Sequence, residues 1–165
     1  MATAHPVQIS IGATLAASLG SAVRGAQAQL NQLGSTMAEL GNKQSGIKQL
    51  ETLRAQAKDA ALAMRAAQQK VSGLEANIAG QDGGATAKQA RELERARAAA
   101  PRAEDAYRRQ SAAVDELSTS LTRAGVNTRA MGSESARLGS QLETLRTRTE
   151  ALTRAQQAQA RNLEN

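Results

Sequence analysis

Apolar and polar positions follow two periods along the chain. Val7, Ile9 and Ile11 alternate with Gln8 and Ser10 after Pro6, a period of two that suits one short strand ending at Gly12. From Thr14 the period becomes helical. Leu19, Val23, Ala26, Leu30, Leu33, Met37 and Leu40 recur at alternating spacings of four and three. Gly20, Gly25 and Gly34 interrupt this stripe, each costing about 1 kcal/mol relative to Ala, so the helix is marginal alone. Gly41, Asn42, Ser45 and Gly46 then read as a joint.

The next stripe is cleaner. Leu50, Leu53, Ala57, Ala60, Met64, Ala67, Val71, Leu74 and Ile78 keep the heptad without a slip, and Gly80-Gln81-Asp82-Gly83-Gly84 ends it with the chemistry of a tight reversal. A third stripe runs through Leu93, Ala96, Ala100, Ala103, Tyr107, Gln110, Val114, Leu117 and Leu121. Two long helices joined by a short Gly-rich turn predict an antiparallel hairpin. Pro101 falls inside the third stripe and predicts a kink or a restart there. Gly125 reads as the next stop, with Asn127 or Thr128 as the N-cap of a final helix. That helix carries the stripe Leu138, Leu142, Leu145, Thr149, Leu152, Gln156, Gln159 and Leu163, polar at three of eight positions. It should pack poorly unless something covers it.

The expected fold is therefore all-α: a long helical hairpin or coiled coil with flanking helices and a short N-terminal strand. Its parts are an extended segment over 1–13, a Gly/Ala-rich helix over 14–42, a hairpin over 43–123 with its turn near 80–85, and a loop with a C-terminal helix over 124–165. The residues expected to form the coiled-coil interface are Leu50, Leu53, Met64, Val71, Leu74, Ile78, Leu93, Tyr107, Val114, Leu117 and Leu121. Gly125, Val126, Asn127 and Thr128 form the expected loop break.

Composition narrows the picture. The 165 residues include 36 Ala against 30 Leu, Ile, Val and Met together, one Tyr, and no Phe, Trp or Cys. Burying a Leu contributes about 1.5–3 kcal/mol and an Ala far less, which argues against an ordinary globular core. Leu, Ile, Val and Phe stay below a fifth of the chain, a disorder signal taken alone. Ala, Glu, Lys, Leu and Arg together reach 85 of 165 residues, the composition of long helices. The heptads decide for helix.

A net charge of +6 invites a nucleic-acid reading, but the signs are interspersed: residues 43–79 hold six bases and three acids, and 80–165 hold fourteen and eleven. Such patterns mark solvated helix faces. Glu104 with Arg108, Asp105 with Arg109, and Glu150 with Arg154 stand in the favourable acid-first order at i,i+4. Tyr107 is the sole aromatic residue, so base stacking is practically absent and nucleic acid is disfavoured. No apolar run is long enough for a membrane span. The uncharged first 23 residues are interrupted by polar positions and do not make a signal peptide.

Catalytic templates lack their parts. His5 is the sole histidine and lies at the N-terminus, and without Cys there is no thiol nucleophile and no His/Cys metal cluster. Carboxylates such as Asp115 and Glu116 are adjacent in sequence and diverge on a helix. Neither a GxxxxGK nor a GxGxxG occurs. The expectation is a chain that is not an enzyme, with no catalytic, metal or cofactor-binding residue and no cofactor.

The ordered pattern resembles a known family. Val7-Gln8-Ile9-Ser10-Ile11-Gly12-Ala13-Thr14, a Gly/Ala-rich helix, a coiled-coil pair, and Leu121-Thr122-Arg123-Ala124-Gly125-Val126-Asn127-Thr128 resemble the N-terminal region of phage tail tape measure proteins. The most specific part is the L-x-x-A-G-V-N/D-T break followed by L-G-x-x-L, here Leu138-Gly139-Ser140-Gln141-Leu142. The resemblance implies a structural protein of a phage or prophage tail. Such a protein forms an extended helical filament in the growing tube, sets tail length and is later expelled to help DNA enter the host. It further implies tail tube and tail assembly chaperone proteins as partners, homo-oligomers, and residence in the virion tail after assembly in the host bacterial cytoplasm.

The family's apolar membrane-active segments and its peptidoglycan-cleaving domain are not in this sequence. Even fully helical, 165 residues reach only about 250 Å, so the expectation is an N-terminal portion or a truncated prophage product. The rival reading is a basic coiled-coil adaptor that binds nucleic acid or an acidic protein partner.

Overall fold

The computed structural model describes the backbone of residues 7–164 and the side chains of residues 24–161. Three helices make up the described chain: α1 (Val7–Ala79), α2 (Ala87–Arg123) and α3 (Met131–Glu164). The fold is all-α. It divides into two compact units, one formed by 1–44 with 135–165 and the other by 45–134, so α1 contributes a segment to each.

The described backbone is helical from Val7, which corrects the expected strand and the extended segment as far as residues 7–13. A solitary strand leaves its N–H and C=O groups without partners, whereas a helix satisfies them within the segment. Residues 1–6, His5 among them, lie outside the described residues.

The expected joint at Gly41, Asn42, Ser45 and Gly46 is also corrected, because α1 passes through it without a break. The reason is visible at Gly46. A Cβ placed there would stand 2.7 Å from Cδ2 of Leu121, and Leu121 is itself buried at 6% exposure. Glycine permits close approach of α1 to α2 rather than a turn. Ile47 and Leu50 follow on the same face, both fully buried.

In the unit formed by 45–134, α1 from Ser45 onward and α2 form an antiparallel hairpin. The 37 residues of α2 reach about 55 Å, matching the arm that α1 supplies. The seam residues Ala57, Ala60, Met64, Ala67, Val71, Leu74 and Ile78 are half-buried, and their neighbours at intervening positions are mostly exposed. On α2 the positions 93, 96, 100, 103, 107, 110, 114, 117 and 121 are all half-buried or buried. Small side chains let the two backbones come close, but the seam keeps part of its surface in water.

The reversal occupies 80–86. Gly80 N–H bonds the Ala76 carbonyl at 3.1 Å and Gly84 N–H bonds that of Gln81 at 3.2 Å. Thr86 then starts α2 with a capping box: its hydroxyl accepts from Gln89 N–H at 3.3 Å, and the Gln89 side-chain oxygen accepts from Thr86 N–H at 2.9 Å. Arg97 bridges the hairpin to Glu75 at 2.7 Å and Lys70 to Glu92 at 3.7 Å. These exposed pairs fix register more than they stabilise, since such bridges are worth about 0–1 kcal/mol.

Pro101 does not restart the helix, for α2 runs continuously through it. Proline removes one hydrogen bond and crowds the preceding turn. Here Ala100 and Ala103 hold seam positions on either side of an exposed Pro101, and the interhelical contact carries the helix across.

In the unit formed by 1–44 with 135–165, α1 pairs with α3. The Thr149 hydroxyl oxygen lies 3.8 Å from the sulfur of Met37, and a Cβ on Gly139 would lie 3.8 Å from Nε2 of Gln44. Leu138 is buried at 1% exposure, and Leu142, Leu145, Thr149, Leu152 and Gln156 are half-buried. Gln159 is exposed, and the side chain of Leu163 lies outside the described residues. The many hydroxyls of α3 are accommodated by bonding back along the helix: Thr144, Thr147, Thr149 and Thr153 donate to the carbonyls four residues earlier, at 2.9–3.0 Å.

Two glycines of α1 should therefore respond oppositely to substitution. Gly46→Val is expected to lower the unfolding free energy by about 1–3 kcal/mol through overpacking against Leu121. Gly34→Ala, where nothing lies within 4 Å of the new Cβ, should raise it by about 0.5–1 kcal/mol. Urea unfolding followed by far-ultraviolet circular dichroism distinguishes them.

Candidate interaction surfaces

The C-terminal end of α2 is the most tightly specified place in the described chain. Ala124 closes the helix, Gly125 takes φ +80°, Gly125 N–H bonds the Thr122 carbonyl at 3.0 Å, and Val126 N–H bonds the Leu121 carbonyl at 2.9 Å. This pair of bonds is a Schellman stop, and the left-handed residue it needs is normally glycine. Its hydrophobic pair is Leu121 and Val126, at 6% and 3% exposure. The A-G-V run thus supplies the helix end, the left-handed residue and the apolar plug.

Asn127 and Thr128 do different work from the capping expected of them. The Asn127 side chain accepts from Arg129 N–H at 3.1 Å, which tightens the loop, while α3 begins at Met131 and its first bond runs from Glu134 N–H to the Ala130 carbonyl at 3.0 Å. Neither residue caps α3. Thr128 is buried at 8% exposure, and Ser118 donates to its hydroxyl at 3.3 Å. Thr122 commits its proton to the Ser118 carbonyl at 2.8 Å, so across the 3.5 Å between the two threonine hydroxyls Thr128 is the donor. Arg54 of α1 donates to the Thr128 carbonyl at 3.2 Å and to the sulfur of Met131 at 3.6 Å. The loop is tied to both arms of the hairpin.

Among the described residues, no buried side-chain nitrogen or oxygen lacks a hydrogen-bond partner. The polar groups of this region therefore serve its architecture. Among the same residues, no grouping of three or more His, Cys, Asp or Glu is placed to hold a metal, and no helix is long and apolar enough to cross a membrane.

Of the expected interface residues, Leu50 and Leu121 are buried, while Leu53, Met64, Val71, Leu74, Ile78, Leu93, Tyr107, Val114 and Leu117 are half-buried on the hairpin seam. Ile47, Ala96 and Val126, which are buried with them, were not singled out from sequence as interface residues. Ala96 is on the third stripe, but the burial of Ile47 and the approach of Gly46 to Leu121 have no local signal. Leu62, at 55% exposure, stands off the seam.

Open grooves mark where packing is incomplete. Between α1 and α3, one of about 630 Å³ is lined by Gln29, Gln32, Leu33, Thr36, Arg148, Ala151 and Leu152. Another of about 410 Å³ is lined by Thr36, Leu40, Ser140, Gln141, Thr144 and Leu145. They share Thr36 and follow one seam. On the hairpin, a cleft of about 500 Å³ is lined by Lys70, Lys88, Arg91, Glu92 and Arg95.

Compared with known proteins, the chain matches no family model, no curated protein and no solved structure.

Thr128→Val should cost about 1–3 kcal/mol, because it removes the buried hydroxyl that partners Ser118 and Thr122 while conserving shape. Arg123→Gln, on the exposed last turn of α2, should change stability by less than about 0.5 kcal/mol. Chemical denaturation of both variants checks the contrast.

Proposed function

We propose that the chain is a structural protein of a phage or prophage tail, a tape measure that acts as assembly scaffold and length determinant. The observation that carries this reading is the half-open Leu/Ala seam. Each helix presents apolar positions at heptad spacing, yet most remain half-buried after pairing within the chain. A two-helix contact covers only one side of such a stripe, and further helices laid along it complete the burial. The grooves that share Thr36 lie between α1 and α3, where that packing is incomplete.

The resemblance of the Leu121–Thr128 break adds support, because each of its characteristic positions has a defined mechanical duty here. The partners would be further copies of this chain, tail tube protein and tail assembly chaperones. The place of action would be the virion tail, with assembly in the host bacterial cytoplasm. On this reading the chain performs no catalysis.

Two measurements test the proposal. Light scattering and small-angle scattering of purified chain should show concentration-dependent association; a monomer at every concentration argues against assembly through the seam. In a phage that encodes the chain, removing it or inserting whole heptads should change tail length as seen by electron microscopy. Tails of unchanged length and number would refute the length-setting role.

A further inference from the structure

Some charges of the described residues are bridged along or between helices, and others stand without an ion pair. Arg97 is bridged to Glu75, Lys70 to Glu92, Arg108 to Glu104, and Arg146 and Arg154 to Glu150. Among the described residues Lys88, Arg91 and Arg95 make no ion pair, and all three are exposed. They line one cleft of about 500 Å³ together with the Lys70–Glu92 pair, leaving it three positive charges in excess. The spacings from 88 to 91 to 95 are three and four, one face of α2, extending over about 10 Å.

These residues lie outside the seam positions 93, 96 and 100, so they do not hold the hairpin shut. Like charges at i,i+3 and i,i+4 repel one another, so the three cations do not stabilise each other. Its long side chains offer both methylene stems and cationic heads, a lining that suits protein side chains. Guanidinium groups take carboxylates in bidentate fashion.

We propose that this cleft docks an acidic helix of a partner protein, one that presents carboxylates at the same three-and-four spacing. A carboxylate-bearing helix repeats its charges with the period of Lys88, Arg91 and Arg95, so all three are met by one rigid element. Duplex nucleic acid fits less well. Tight binding there draws on roughly 6–10 phosphate contacts, whereas this face offers three unpaired cations with Glu92 and Glu94 among them and no aromatic platform. The proposal stands apart from the tail reading, since it concerns an outer face of the hairpin and not the seam.

The test uses the full chain and fluorescently labelled probes read by anisotropy at low and physiological salt. The probes are a helical Ala/Gln peptide carrying Glu at three-and-four spacing, a scrambled peptide of the same composition, and a short DNA duplex. The triple variant Lys88→Gln, Arg91→Gln, Arg95→Gln should bind the first peptide at least about tenfold more weakly, a difference of about 1.4 kcal/mol. A charge-matched variant, Lys58→Gln, Arg65→Gln, Arg102→Gln, should bind it like the wild type. Circular dichroism should show both variants folded. Equal loss in the two variants, equal affinity for the scrambled peptide, tighter binding of the duplex, or no binding of the peptide by the wild type would each overturn the proposal.

Discussion

The close approach of α1 to the end of α2 is the constraint on which the hairpin depends. Gly46 leaves room for the buried Leu121 side chain, and Ile47 and Leu50 continue the same buried face. At that level α2 must stop, and the Gly125 Schellman turn stops it with Val126 folded in. Thr128 and Arg54 then secure the loop to α2 and α1. Most of the fully buried apolar side chains are concentrated here, whereas the remaining seam toward the turn relies on alanine contacts and two exposed ion pairs.

This distribution has a physical logic. Alanine gives little transfer free energy but lets helices approach closely, and a seam built from it is long and shallow. A few large side chains at one end, together with the capping box at the other, define which residues oppose each other. The intervening surface is free to accept further helices, and that availability underlies the proposal of a scaffold. The seam between α1 and α3 has the same character, with hydroxyls bonded along α3 and grooves left open beside Leu33, Leu145 and Leu152.

The heptad stripes were legible because period and solvent exposure are linked along any helix that has one covered face. The positions 93, 96, 100, 103, 107, 110, 114, 117 and 121, expected from spacing, are all half-buried or buried in α2, together with flanking positions such as 104, 106, 111, 113 and 118. The turn at 80–86 was legible from its glycines. Glycine misled at Gly41 to Gly46, since the same residue marks a turn or a close contact and only the neighbour distinguishes them. At Pro101 the restart does not occur, since α2 continues through it between the seam positions Ala100 and Ala103. Asn127 and Thr128 are good caps by type, yet a buried hydroxyl bonded to Ser118 and Thr122 and an Asx turn to Arg129 claimed them first.

The sequence by itself determined that the chain is helical, where its apolar faces run and where α2 must end, for these follow from periodicity, alanine content and the left-handed backbone that Gly125 supplies. Tertiary structure alone decided that α1 is uninterrupted, that its earlier part pairs with α3 and its later part with α2, and that three cations of α2 share a cleft with Lys70. The difference is one of range. Periodicity and capping act within a few residues, whereas Gly46 meeting Leu121, or Lys70 meeting the α2 cations, joins positions whose relation no local pattern encodes.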